Sequence, residues 1–417
     1  MAELRPLEAE IIAIGSELLT PYRSDTNSLW LTEKLNGLGM DVKLKAVVGD
    51  ERGRLVEYIR GALQRADVLI ATGGLGPTED DLTREAFAEV LGRRLIRDEG
   101  LLERLRQRFQ KYGFKMTSNN ERQADVIEGA EVLTNRSGSA PGMFIEDGLK
   151  VIILLPGPPR EMEPMFEREA LPRLAQRAQG FRMARRVLKV SGLTESAMDD
   201  MIAPIYKPYT NPTTTVLSAV TGLEVHLTAL AETQEEAQRL ADELANKIEA
   251  RLGQHVFSRE GESLEQVVGE LLVEKGLRLA LAESCTGGLM AKRVTDVPGS
   301  SRYFLSGVVA YSNEAKIDLL GVPSGLIQAH GAVSPEVAEA MAWGVKQRTG
   351  ADIGVAVTGI AGPEGGTPEK PVGLVYIGLA TADQVEHRKL QIPGDRERVR
   401  ELTAQIALDW VRRQVLA

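Results

Sequence analysis

Two nucleophile types, Ser284 and Cys285, stand side by side in "LALAESCTGGLMAKRV", where an apolar run meets a glycine pair. A serine hydroxyl attacks only when a base takes its proton, and lysine can be that base if burial pulls its pKa down. Lys316, in "YSNEAK", could be that lysine, although by itself it reads as a surface lysine of a helix, and a Ser/Lys pair permits amide hydrolysis. A cysteine thiolate would instead want a histidine, for which His330 in "AHGAVS" is the candidate in the same stretch. Adjacent residues at a strand end point to opposite sides, so one of the pair packs inward. The reading favours Cys285 as buried and inert, while the Ser284 turn could equally serve only to let helix and strand pack. The backbone N–H groups of Thr286, Gly287 and Gly288, at a helix start, are expected to cradle an anion or oxyanion. One such donor contributes roughly 3–4 kcal/mol to a transition state.

A second set lies near the N-terminus. "TGGLGPTEDD" is a strand end, a glycine loop and a helix start; Gly73, Gly74 and Gly76 let backbone approach a phosphate closely. Thr78 and Asp81 are spaced as a capping box, and Glu79, Asp80 and Asp81 also suit a helix N-terminus for purely local reasons. Asp50 in "VVGDE" and Asp81 are the carboxylates expected to hold a hard divalent cation, while Glu17, Asp25 and Asn27 follow an early strand and could line the same pocket. The chain has one cysteine, and its four histidines (His226, His255, His330, His387) show no ligand spacing. A thiolate zinc cluster is therefore excluded, and oxygen ligands are left for any metal.

The elements that must carry these residues follow from periodicity. Up to about Arg173, short apolar runs alternate with helical patterns: "AEIIAIG", "NSLWLTEKLNGLG", "DVKLKAVVGD", "RLVEYIRGALQRA" and "DVLIATGG". This is βαβ grammar, which implies a parallel sheet with ligands beyond the carboxyl ends of its strands. "MFIEDGLKVIILL" predicts a hairpin at Asp147-Gly148. From about Gly180 to Ser258 a smaller strand–helix–strand–helix unit follows, with "YKPYTNPTTT" read as a loop, and it is expected to connect or dimerise. From Glu262 the βαβ grammar returns. Ser334, Pro335 and Gly350 punctuate one helix, and the strand ends bring Ser284, Tyr311 and Thr358 toward one edge if those strands are neighbours.

The totals limit the function classes. A chain of 417 residues with 43% hydrophobic content holds two or three domains with substantial cores. A net charge of −9 leaves no overall basic footprint for nucleic acid. No apolar stretch reaches membrane length, and Met1–Glu10 is acidic rather than signal-like, so a cytoplasmic protein is expected, without membrane or direct nucleic-acid contact.

"AESCTGG", "YSNEAK", "HGAVS" and "TGIAGPEGG" followed by "KPVG" appear in the order of the competence/damage-inducible CinA family and resemble its C-terminal nicotinamide mononucleotide deamidase (PncC) domain. The resemblance implies an amidohydrolase that converts nicotinamide mononucleotide to nicotinate mononucleotide and ammonia without a cofactor. It implies Ser284 as nucleophile and Lys316 as base, with Tyr311 and Thr358 assisting. Thr286, Gly287, Gly288, Gly359 and Gly362 would form the binding turns, and Arg396 in "GDRERVR" would hold the substrate phosphate. The glycine loop resembles that of the molybdopterin-binding MoaB and MogA family, with Leu75 in place of the usual threonine, and "LPGPP" resembles the family's proline-glycine turn. In full-length CinA proteins that domain is associated with metal-dependent ADP-ribose pyrophosphatase activity, which implies a divalent ion and a diphosphate site at Glu17, Asn27, Asp50, Gly73, Gly74, Gly76 and Asp81. The expectation is an α/β chain in three parts: a MoaB/MogA-like three-layer domain (residues 1–173), a small α+β module (174–258) and a three-layer deamidase domain (259–417). A homodimer acting on these two nucleotides is expected. The rival readings are a molybdopterin-handling protein and a non-enzymatic competence scaffold.

Overall fold

The structure, a computed structural model, describes residues 5–178, 180–219, 222–382 and 384–417. The chain divides into two compact units, residues 1–184 with 229–239, and residues 185–228 with 240–417.

The first unit is built on strands β1 (Glu8–Ile14), β2 (Asp41–Val48) and β3 (Val68–Thr72), a two-stranded side piece of β4 (Leu95–Arg97) and β5 (Asp125–Ile127), and β6 (Glu131–Leu133), β7 (Gly142–Asp147) and β8 (Lys150–Leu155). The main sheet runs β2-β1-β3-β8-β7-β6. Its first four strands are parallel, and β7 and then β6 each pair antiparallel to the strand before. Both faces are covered. Along β3, Leu69 and Ala71 enter one apolar cluster while Val68 and Ile70 enter the other, and β8 splits the same way between Ile152/Leu154 and Val151/Ile153/Leu155. Because side chains alternate across a strand, a run of unbroken apolar residues is what a sheet sandwiched by helices requires. The Asp147-Gly148 hairpin forms as expected, Asp147 pairing with Lys150.

Four strands follow in the middle module: β9 (Arg182–Val190), β10 (Thr213–Ala219), β11 (Gly222–Ala231) and β12 (Val256–Ser258), in the order β10-β11-β9-β12. Here one expectation is corrected. The end of "YKPYTNPTTT" begins strand β10, Thr213 pairing with Thr228 across the sheet. Three β-branched threonines fit a pleated surface, and Pro212 stands just before the strand, where no ladder donor is lost.

The C-terminal part carries β13 (Leu279–Glu283), β14 (Phe304–Val309), β15 (Ile353–Gly359), β16 (Leu374–Ala380) and β17 (Val385–Gln391), in the order β14-β13-β15-β16-β17. The first three are parallel, so Ser284, Tyr311 and Thr358 do reach one edge, while β16 and β17 add antiparallel. One face is large-sided, Leu279, Leu281, Val355 and Val357 packing with helices Leu264–Lys275 and Arg396–Leu416. The other face is made of Ala280, Ala282 and Ala356, whose small side chains admit helix Pro335–Thr349 close to the strands. Both α/β domains are three-layered. Among the described residues no helix is long and apolar enough to cross a membrane.

Candidate active sites

The C-terminal site grows from the centre of the sheet. Strand β13 lies between β14 and β15, with Glu283 level with Val309 and Val357, so the next residue, Ser284, emerges between the two neighbouring strand ends. Its N–H donates to the Val357 carbonyl, and Ala310 N–H donates to the Glu283 carbonyl, which fixes the backbone on both sides. After β14, Ser312 caps helix Asn313–Leu320 by accepting from Ala315 N–H, and Lys316 then lies one turn inside.

Lys316 is 1% exposed, and its Nζ lies 3.1 Å from Ser284 Oγ. The same Nζ donates to the carbonyls of Ala310 at 3.0 Å and Tyr311 at 3.1 Å. Burial drives the Lys316 pKa down from its usual 10.5. Two carbonyls occupy two of the amine's N–H bonds, so in the neutral form the lone pair is left toward Ser284. That is the arrangement a general base needs. Cys285 packs into the apolar core and also borders the cleft, and burial pushes its thiol up to about 12. Its potential partner is elsewhere: His330 lies 3.5 Å from Glu336 and is absent from the cleft wall.

The cleft above Ser284 measures about 200 Å³ and is also lined by Tyr311, Asn313, Lys316, Thr358, Gly359 and Arg396. Thr358 is buried and donates from its hydroxyl to the Ala332 carbonyl at 2.8 Å. Arg396 donates to the Gly362 carbonyl at 2.8 Å and to the Tyr311 hydroxyl at 3.2 Å, which leaves the remaining N–H groups of its fork at the exposed rim. Gly362 thus supports Arg396 from behind and does not line the cleft.

The glycine turn corrects the expected anion cradle. Gly287 N–H donates to the Ser284 carbonyl, and Gly288 N–H donates to the Glu283 carboxylate at 3.0 Å. Glu283 also accepts from Met290 N–H at 3.1 Å and Ala291 N–H at 2.8 Å. The buried carboxylate of the residue preceding Ser284 therefore occupies the helix N-terminus that was expected to hold a ligand. Thr286, Gly287 and Gly288 are not among the cleft-lining residues, and the Thr286 hydroxyl is buried without a partner. Glu283 escaped sequence reading because it ends strand β13, well before the N-cap Gly288, outside the spacing that marks a capping residue.

The N-terminal site forms by the same rule. Beyond the carboxyl ends of the parallel strands stand Glu17 after β1, Asp50 after β2, the loop Gly73–Gly76 after β3 and Pro156–Pro159 after β8. Together with Asn27 and Asp81 these line one cleft of about 690 Å³, so all seven expected N-terminal positions meet in it. Gly73 and Gly74 are required. Both have positive φ, 99° and 63°, and a Cβ would strike the Ile14 carbonyl at the first and the Thr83 hydroxyl at the second. Arg84, fully buried, donates from both Nη atoms to the Leu75 and Gly76 carbonyls at 2.8 Å and so fixes the loop from beneath. Sequence reading missed it, since an arginine in an amphipathic helix reads as a solvent-facing residue. The expected capping box closes differently: Asp81 accepts from the Thr78 N–H and hydroxyl, but the helix starts two residues later, at Thr83.

Six acids line this cleft, Glu17, Asp25, Asp50, Asp80, Asp81 and Glu161, with Arg23 as the cation among its described lining residues. Asn27 donates through Nδ2 to the Gly157 carbonyl at 2.7 Å, which leaves its buried Oδ1 without a partner. No three His, Cys, Asp or Glu side chains converge as a metal cage among the described residues. This hard-oxygen set still fits a magnesium-like ion, which takes one or two carboxylates and completes its shell with water and substrate phosphate. Asp50, which accepts the Ser16 N–H at 2.7 Å through one oxygen, and Asp81 are the residues that would hold it.

Comparison with known proteins agrees with this layout. Residues 10–176 match the model of a probable molybdopterin binding domain, 185–258 that of the damage-inducible protein CinA KH domain, and 261–415 that of the CinA C-terminal domain. A CinA-like protein of Koribacter versatilis is 50% identical over 415 residues, 98% of this chain and 100% of that protein. The chain belongs to the CinA family. Another CinA relative, described as a putative competence-damage inducible protein of Acetivibrio thermocellus, is 45% identical over 410 residues, 98% of this chain and 99% of its own. The solved competence/damage inducible protein CihA from Agrobacterium tumefaciens is 39% identical and covers 37% of this chain and 94% of its own, with a TM-score of 0.36.

Proposed function

We propose that the C-terminal domain is a serine amidohydrolase that converts nicotinamide mononucleotide to nicotinate mononucleotide and ammonia. The observation that carries the reading is the buried Lys316 amine 3.1 Å from Ser284 Oγ, its other hydrogen bonds spent on carbonyls. Neutral Lys316 takes the Ser284 proton as Oγ bonds to the carboxamide carbon. The resulting ammonium returns that proton to the amide nitrogen, the C–N bond breaks, ammonia leaves and an ester to Ser284 remains. Water then attacks the ester while Lys316 takes one of its protons; the C–Oγ bond breaks, that proton passes to Oγ, and the carboxylic acid product departs as its carboxylate, giving its remaining proton to solvent. Arg396 at the cleft rim would hold the substrate phosphate through its free N–H groups, and the Tyr311 hydroxyl holds the guanidinium in place.

The N-terminal cleft is read as a diphosphate hydrolase acting on ADP-ribose. Its acid-rich lining supports this, because a dianionic diphosphate cannot settle among six carboxylates unless cations accompany it. A divalent ion, when bound, would neutralise the diphosphate and activate water. The glycine loop held by Arg84 would approach the phosphates through its backbone. The tests are ammonia release from nicotinamide mononucleotide and phosphate-ester release from ADP-ribose by the full chain. The amidase reading requires turnover by wild type and by Cys285→Ala, and none by a folded Ser284→Ala. Tight pterin binding without turnover of either nucleotide would favour the molybdopterin reading instead.

A further inference from the structure

When Ser284 Oγ bonds to a carboxamide carbon, the carbonyl electron pair moves onto oxygen, and the charge formed there needs a hydrogen-bond donor. The N–H groups nearest in sequence are spent. Ser284 N–H donates to the Val357 carbonyl at 3.1 Å, Gly287 N–H to the Ser284 carbonyl at 3.1 Å, and Gly288 N–H to the Glu283 carboxylate at 3.0 Å.

Strand β15 offers another donor. Along a strand the peptide groups of successive residues point to opposite edges, so residues of β15 face β13 and β16 alternately. The Val357 carbonyl accepts from Ser284, so Val357 faces β13; Ile360 N–H donates to the Leu374 carbonyl at 2.9 Å, so Ile360 faces β16. Gly359, two residues after the first and one before the second, faces the β13 side on both counts. The next rung of that parallel ladder would join Gly359 N–H to the Ser284 carbonyl. Strand β13 has already ended at Glu283, however, and the Ser284 carbonyl turns to accept from Gly287 instead. Gly359 N–H is left without a hydrogen-bond partner among the described residues, and Gly359 lines the cleft with Ser284.

We propose that this N–H is the oxyanion donor of the site, an assignment that rests on the amidase reading above. The strand order sets it opposite the base. Strand β13 lies between β14, whose following helix carries Lys316, and β15, which carries Gly359. Ser284 therefore emerges with the amine on one flank and the N–H on the other. A carbon bonded to Oγ would pass its protons on the first side and build its negative charge on the second. The donor is fixed in a strand, so it needs no reorganisation as the charge forms.

A Cβ on Gly359 would lie 2.7 Å from Val375 Cγ2 and 2.8 Å from the Leu374 carbonyl oxygen, so a side-chain substitution there disturbs packing. The N–H must be removed without adding atoms. Glycolic acid in place of Gly359, introduced by semisynthesis of the full chain, turns the N–H into an ester oxygen. With circular dichroism matching wild type, kcat for ammonia release should fall about 100- to 1000-fold while KM moves only a few-fold, as for loss of one oxyanion donor. A kcat within about twofold of wild type overturns the assignment, and so does a loss confined to KM. Crystals of the unaltered chain supply the second measurement, with an analogue of nicotinamide mononucleotide that carries a boronic acid in place of the carboxamide. A tetrahedral boronate on Ser284 Oγ, one oxygen within about 3.1 Å of Gly359 N, is expected. A Ser284 adduct whose oxygens bond elsewhere overturns the oxyanion assignment alone and leaves the amidase reading standing. No adduct at Ser284 counts against the serine nucleophile itself, and the assignment falls with it.

Discussion

At the scale of single residues, the chemistry rests on where one proton sits. Burial lowers the Lys316 pKa below its free value of 10.5, because the charged amine loses water and meets only carbonyls and a hydroxyl. On the proposed function the neutral amine is the base. The rate constant kcat/KM for ammonia release should therefore rise with pH and level off above an inflection lying below 10.5. A kcat/KM that falls as pH rises, or an inflection at or above 10.5, would contradict a buried lysine base. Lys316→Ala should cut kcat/KM by roughly a thousandfold or more, as removal of a catalytic base does in serine hydrolases. Cys285 gives the opposite forecast. With its thiol at about 12, only about one molecule in ten thousand carries the thiolate at pH 8. Cys285→Ala should turn over within a few-fold of wild type, and iodoacetamide at pH 8 should leave ammonia release essentially intact over the time that it inactivates an exposed thiol.

At the scale of elements, the strand edge and the glycine loop were readable beforehand, while what holds each of them from behind was not. The meeting of Ser284, Tyr311 and Thr358 follows from parallel strand order, which apolar runs and glycine stops announce locally, so this edge was legible. The glycine loop Gly73–Gly76 was legible too, because glycine is chosen where backbone crowds backbone. What the loop rests on was not: Arg84 is recognised as a prop only when its two carbonyl partners, nine and eight residues back, are seen to fold over it. The anion cradle behind Ser284 was misread for the same reason, since spacing announces a free helix N-terminus but not the buried carboxylate that fills it. That carboxylate makes its own forecast. Glu283 accepts three backbone N–H bonds while 1% exposed, and losing it leaves those donors buried. Glu283→Ala should destabilise the C-terminal domain by about 3–5 kcal/mol in urea unfolding, and Glu283→Gln by less, because an amide oxygen still accepts. Equal stability of Glu283→Ala and wild type would remove the carboxylate from this role. Strand β10 was hidden because prolines on either side of Thr210 and Asn211 outweighed the threonines, and its pairing with β11 decides the matter only in three dimensions.

At the scale of the whole molecule, each cleft is assembled entirely within one unit: the acid-rich one from residues between Ile14 and Glu161, the Ser/Lys one from residues between Ser284 and Arg396. Their chemical needs also differ. On the proposed function, the first, with six carboxylates lining it, would depend on an ion to make its space attractive to an anion. The second would activate Ser284 with an uncharged amine and without an ion. Removing divalent metal with EDTA should therefore abolish ADP-ribose hydrolysis, reversibly on adding magnesium or manganese, and leave ammonia release unchanged. Lys316→Ala should do the reverse. Gly73→Ala, whose Cβ would strike the Ile14 carbonyl at a φ of 99°, should follow EDTA, losing the first activity while keeping the second. These three perturbations form a cross-check that no single variant gives: each removes one activity by a different physical route, through charge, proton transfer or backbone geometry. If a well-folded Lys316→Ala lost both activities, the two reactions would have to share a catalytic group, and the division of labour drawn from the two separate clefts would be wrong.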